Sequence, residues 1–194
     1  MIPVRTIRDL EEEIASRKSS KVIGFMIAPY NREEVKRIVD QYYKEWHFLR
    51  GENFDLFWLA YGEYGIDESP NQIILELAGK NEELIYFDLE LFQRELREFN
   101  EKVEFKATSD FELILFDSYK GKINYRKHFR IEFDEYSKEN IGLINKIINA
   151  IVDNVSDNKT IQEIKKKVKI EIGKSKLKKI KISDLISVFG LFGG

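Results

Sequence analysis

The stretch that decides the fold is VIGFMIAPYNREEVKRIVDQYYKEWHFLRGENFDLFWLAY, residues 22–61. It opens on a nearly unbroken apolar run, Val22 to Ala28, of strand length. Such a run suits a strand covered on both faces, because an exposed face would call for polar residues at alternate positions. Pro29 stops it, and Asn31 with Glu34 has the spacing of a capping box. Val35, Ile38, Val39, Tyr42, Tyr43 and Trp46 then recur three and four apart, while Arg32, Glu33, Lys36, Arg37 and Asp40 take the other side, so an amphipathic helix follows. Gly51 is placed to end it. Phe54 to Tyr61 reads as a second buried strand carrying one charge, Asp55. Strand, helix, strand at this spacing makes a right-handed crossover with parallel strands.

Working outward toward the N-terminus, Thr6 can cap a helix whose apolar residues are Ile7, Leu10 and Ile14. Toward the C-terminus, Gln72 to Ala78 and Glu83 to Phe87 flank Gly79-Lys80-Asn81 as a hairpin, and Asp88 caps a helix that buries Leu89, Phe92, Leu96 and Phe99. Val103 to Ala107, Phe111 to Tyr119 and His128 to Tyr136 are expected to form an antiparallel meander with a turn at Lys120-Gly121. Ser137 starts a helix that runs to Ser156 with isoleucines and valines on one side. The expected fold class is α/β, a mixed central sheet flanked by helices. This order of elements is similar to the skeleton of the thioredoxin-like fold over the middle two-thirds of the chain. Because the chain has no Cys, the resemblance implies the scaffold without its redox chemistry.

Composition narrows the function classes. The 194 residues, 34% charged and 43% hydrophobic, suit one domain with a sizeable core. Zero Cys excludes disulfides, thiolate zinc sites and thiol nucleophiles together. The first residues, MIPVRTIRDLEEE, turn acidic too soon for a secretory leader, and no apolar run nears the ~20 residues of a membrane span. A cytoplasmic location is therefore the expectation. A net charge of −2 conceals a polarity: residues 159–194 carry ten Lys against Glu163, Glu171 and Asp184, a net of +7, which leaves −9 on residues 1–158. The chain divides on this basis into an acidic α/β domain, 1–158, and a basic C-terminal extension, 159–194, expected to dock on it.

Short motifs in the chain invite chemical readings, each with its own requirement. Glu104-Phe105-Lys106 is an ExK triplet on an expected strand, with Asp88 as an upstream carboxylate. Paired carboxylates can hold magnesium and the lysine can stabilise a phosphorane, so these three residues define a phosphodiester-hydrolase alternative. Gly173-Lys174-Ser175 ends like a phosphate-binding loop, but Val168 stands where the first glycine is required. His47 and His128 are the only histidines; His128 lies in the basic run Arg126 to Arg130, sharing a face with Arg126 if the strand is regular.

Two regions are left as binding candidates, and no cofactor is called for. Tyr61, Glu63, Tyr64 and Asp67 lie where the second parallel strand ends, the usual position of a ligand crevice in an open α/β sheet. In the basic extension, Ile161 to Ile172 reads as a lysine-decorated helix, with strand-like alternation from Val168 onward, and Leu177 to Ile182 as a strand. Lys178, Lys179, Leu185, Ile186 and Phe189 combine charge with an apolar helical face suited to a protein groove. A protein partner or self-association is expected; nucleic acid is a weaker partner, since the lysines lack interleaved Arg and aromatics, and a membrane surface is not favoured. The expected function is a non-catalytic binding or regulatory protein whose extension engages its own body or a protein partner. The hydrolase is the alternative, and a small-ligand sensor a third reading.

Overall fold

The computed structural model describes residues 2–16, 22–48, 54–62, 72–77, 83–107, 111–133, 138–156, 161–174 and 180–183. The strand-helix-strand crossover forms as read. β2 (Val22–Ile27), α2 (Glu33–Phe48) and β3 (Phe54–Leu59) form a crossover whose strands pair in parallel, Val22 beside Phe54 and Phe25 beside Phe57. All six residues of each strand are buried. β3 is also flanked by β1 (Ile2–Val4), a three-residue parallel strand that the sequence reading did not contain. Three residues offer too little pattern to read, and Pro3 argues against a strand except at a sheet edge, where β1 lies.

On its other side β2 pairs antiparallel with β7 (Glu112–Tyr119), then come β8 (Lys122–Phe133) and the short β9 (Ile180–Ser183), giving the order β1-β3-β2-β7-β8-β9. β7 and β8 are joined by Lys120 and Gly121, with φ of 50° and 73°. Two successive left-handed residues make the tight hairpin turn whose twist matches the strands, which is why a glycine stands second. A second sheet, β4-β6-β5, is built from β4 (Tyr61–Gly62), β5 (Gln72–Leu77) and β6 (Glu83–Phe87), so the expected hairpin forms but stands apart from the main sheet.

Helices cover both faces of the main sheet. On one side are α1 (Ile7–Ser16) and α3 (Leu89–Lys102): the ring of Phe99 in α3 lies 4.7 Å from that of Phe25 in β2. On the other are α2, α4 (Lys138–Ser156) and α5 (Ile161–Lys174): Trp46 of α2 meets Trp58 of β3 at 5.7 Å and donates its indole N–H to Asn145 of α4 at 2.8 Å. α1 begins with a reciprocal cap between Thr6 and Asp9, and α3 with Asp88, whose carboxylate accepts from the Leu91 N–H at 3.0 Å. No helix among the described residues is long and apolar enough to cross a membrane.

One expected strand is absent. Residues 103–107 form an irregular segment after α3, held by the Asn100 side chain, which accepts from the Ala107 N–H at 2.7 Å and donates to its carbonyl at 3.3 Å. The alternation of Val103, Phe105 and Ala107 is real, and all three are buried. They pack downward onto the sheet rather than pairing along its edge, Phe105 against Phe99 and His128. The strand read as His128 to Tyr136 begins six residues earlier, at Lys122, because Lys122, Ile123 and Asn124 pair with Tyr119, Ser118 and Asp117 at the end of β7.

Candidate functional site

The basic C-terminal part meets the body through α5. Ile161, Ile164 and Val168, spaced three and four apart, are fully buried against α4 and the sheet. The opposite stripe of the same helix carries Glu163, Lys166, Lys167 and Ile170, all exposed. Ile170 is 49% exposed, and only Tyr119 joins it as an exposed large apolar side chain among the described residues. Between α4 and α5 runs an open groove of about 360 Å³ lined by Lys146, Asn149, Ala150, Asp153, Asn154 and Lys167. Lys165, on the flank of α5, has its pKa lowered by burial and by the charge of Lys169 one turn on. β9 continues the attachment by pairing antiparallel with the end of β8, Ser183 beside Arg130 and Ile180 beside Phe133. Lys178, Lys179, Leu185, Ile186 and Phe189 lie outside the described residues.

The residues of the hydrolase alternative are not brought together. Asp88 is the N-terminal cap of α3 and Glu104 lies just beyond its C-terminal cap, Val103, so the two are separated by the helix's length, about 20 Å. Lys106 is exposed on the irregular segment. Among the described residues no three carboxylate or imidazole groups converge as metal ligands would.

What does come together is the ExK segment and the basic run of β8. The pairing of β7 with β8 jumps from Phe116–His128 to Asp117–Asn124, so Tyr125, Arg126 and Lys127 bulge out. The bulge satisfies itself partly through side chains: Asn124 accepts from the Arg126 N–H at 3.2 Å. Arg126 turns outward toward Glu104 at 3.9 Å, while His128 is buried under Phe105 with ring centroids 4.4 Å apart. The bulge therefore ends the shared face expected for Arg126 and His128. Next on the buried face, Arg130 lies between Glu112, 2.6 Å from its Nε, and Glu132, 3.2 Å from an Nη, with the Phe105 ring 5.4 Å away. Burial pushes the His128 pKa down, opposed by a hydrogen bond with the Tyr125 backbone; the Arg130 charge adds to the lowering. The Glu112–Arg130 pair escaped the sequence reading, although Arg130 and Glu132 alternate in the charged strand opposite Glu112.

Of the crevice residues expected at the strand ends, Tyr61 is the one among the described residues, and it belongs to the core. Tyr61 is fully buried, its hydroxyl donating to the Ala28 carbonyl at 2.6 Å and its ring between Trp58 and Phe87, 5.4 and 5.2 Å away. Ala60, at φ 62°, turns the chain there from β3 toward β4. Glu63, Tyr64 and Asp67 lie outside the described residues.

No protein-family model matches this chain, and neither a curated protein nor a solved structure resembles it.

Proposed function

We propose that the protein is a non-catalytic binding or regulatory protein that recognises a protein partner through its basic C-terminal part. The observation that carries this reading is the two-sided character of α5. Its buried stripe fixes the helix to the body, while its outer stripe sets Lys166 and Lys167 around an exposed Ile170. An exposed apolar side chain ringed by cations suits an acidic partner that brings an apolar contact of its own. The α4–α5 groove, with Lys146 and Lys167 at its walls, extends the same surface. A thioredoxin-like scaffold is part of the reading. Its support is the placing of the parallel β2-α2-β3 unit, α3 and the antiparallel β7–β8 pair around one sheet, in that order.

The test is affinity capture with the full chain and with a Lys166→Glu, Lys167→Glu, Ile170→Ser variant, followed by titration of whatever protein the full chain enriches. The variant leaves Ile161, Ile164 and Val168 in place, so its melting temperature should match that of the unmodified chain. Expected is at least a tenfold weaker complex, with affinity in the unmodified chain falling as salt is raised. Equal binding by both chains would remove the basis of the reading.

A further inference from the structure

A second site lies away from α5, where the β7–β8 turn meets α1. Gly121 comes so close to the helix that a Cβ added to it would stand 3.0 Å from the Ala15 Cα, which fixes the hairpin tip against the last turn of α1. Beside this contact is a half-open cavity of about 340 Å³, lined by Glu11, Ala15, Gly121, Lys122, Ile123 and Tyr125. That is the lower end of the range for small-molecule sites. The β8 bulge contributes Tyr125, whose hydroxyl donates to Glu11 Oε1 at 2.9 Å. Lys102 of α3 donates to the same oxygen at 3.0 Å. Both contacts fall on Oε1, and Oε2 of this part-exposed carboxylate takes no partner among the described residues.

We propose that this cavity binds a primary ammonium group carried on a short aliphatic chain. The ammonium would donate to Glu11 Oε2, a charge-assisted hydrogen bond about twice as strong as a neutral one. Tyr125 lines the cavity with Ala15 and Ile123, which give the aliphatic chain apolar walls. Lys102 does not cancel the site, because it is shared with Glu98 at 3.9 Å and sits on the other oxygen of Glu11. Lys122 is exposed, so its stem can line the cavity while its charge stays in water. An anion would meet the carboxylate, and a neutral hydroxyl would forgo the charge. The same chemistry is offered by a free aliphatic amine and by a lysine side chain of another protein.

The experiment is a two-dimensional amide NMR titration of the full chain with n-butylamine, beside n-butanol and butyrate as neutral and anionic controls of equal length. Butylamine should shift the amides of Ala15, Gly121 and Ile123 saturably, with neither control doing so. Glu11→Gln, which keeps acceptors for Tyr125 and Lys102, should weaken butylamine at least tenfold. Ile123→Trp, which fills the cavity without touching the carboxylate, should abolish the shifts, and it decides the matter if the Gln variant folds poorly. Cadaverine set against Nα-acetyl-lysine amide separates the sources, the tighter binder naming which one the cavity is shaped for. Shifts with butanol equal to those with butylamine, no saturation, or unchanged binding in Ile123→Trp would each overturn the proposal.

Discussion

The two faces of the main sheet are built on different terms. Toward α2, α4 and α5 two successive cross-strand rows are apolar from β3 to β8: Trp58, Met26, Leu113 and Ile131 in one, Leu56, Gly24, Leu115 and Phe129 in the next. Toward α1 and α3 the rows begin apolar at β2 and turn polar at β7 and β8, where Glu112, His128, Arg130 and Glu132 stand together. Glu95 of α3 adds a buried carboxylate on that side. An apolar face needs only volume and pattern to be satisfied, and it tolerates rearrangement. A polar face must satisfy each donor and acceptor individually, so its contribution hangs on single residues.

The largest effect belongs to the apolar face. A chain ending at Asn158 loses Ile161, Ile164 and Val168 from the core. At about 1.5–3 kcal/mol for each buried side chain, the loss is on the order of 5–9 kcal/mol. Whole domains are stable by about 5–15 kcal/mol, so this chain should show no cooperative thermal transition by circular dichroism. A chain ending at Lys179 keeps α5, loses only β9 among the described elements, and should melt cooperatively. Cooperative melting of the shorter chain near the full-length temperature would mean that α5 is no part of the core.

The same contrast explains what the sequence disclosed. β2, β3 and α2 were legible because each is long enough to show its period and both strands are apolar throughout. α5 was legible as a lysine-decorated helix over Ile161 to Ile172, although the Val168–Ile172 alternation offered a strand as a second answer and its buried stripe was not read. The polar face was not legible. Arg130 and Glu112 are 18 positions apart, and only the register of β7 against β8 brings them within 2.6 Å. That register depends on a bulge whose signal is three extra residues in a charged strand. The segment 103–107 misled for a related reason: inward alternation produced by packing against the sheet has the same period as alternation within a strand.

Next in size is Arg130→Met. It takes from Glu112, which is fully buried, the guanidinium 2.6 Å away, and breaking a buried pair from one side costs about 3–5 kcal/mol. Adding Glu112→Leu removes the carboxylate that faced Arg130 and should recover most of that loss. Denaturant midpoints of the single and double variants measure the difference. If the double variant is as unstable as the single one, packing under Phe105 rather than charge sets the requirement.

A smaller loss is expected at Glu95→Ala. The Glu95 carboxylate accepts from the N–H of Ile7 at 3.0 Å, serving the start of α1 from a neighbouring helix, and its other oxygen takes Arg94 at 3.1 Å. Removing it leaves a buried amide unsatisfied, a cost of about 1–3 kcal/mol. Amide hydrogen exchange should place the damage in the first turn of α1 before the rest of the molecule. Uniform loss of protection would instead make Glu95 part of the global core.

The smallest effect tests whether the polar face responds to pH. Burial and the Arg130 charge hold the His128 pKa below the ordinary histidine value of 6.5. As pH falls through that value the unfolded chain takes up its proton first, so the folded state loses stability relative to it. The contribution of His128 is complete above about pH 6.5 and declines as pH drops toward its folded pKa. Between pH 7.5 and 5.5, where most carboxylates remain ionised, the full chain should lose no more than about 4 °C from this source. His128→Gln should remove that part of the slope. An identical slope in the His128→Gln chain would mean that the imidazole under Phe105 takes up its proton as readily as it does in water.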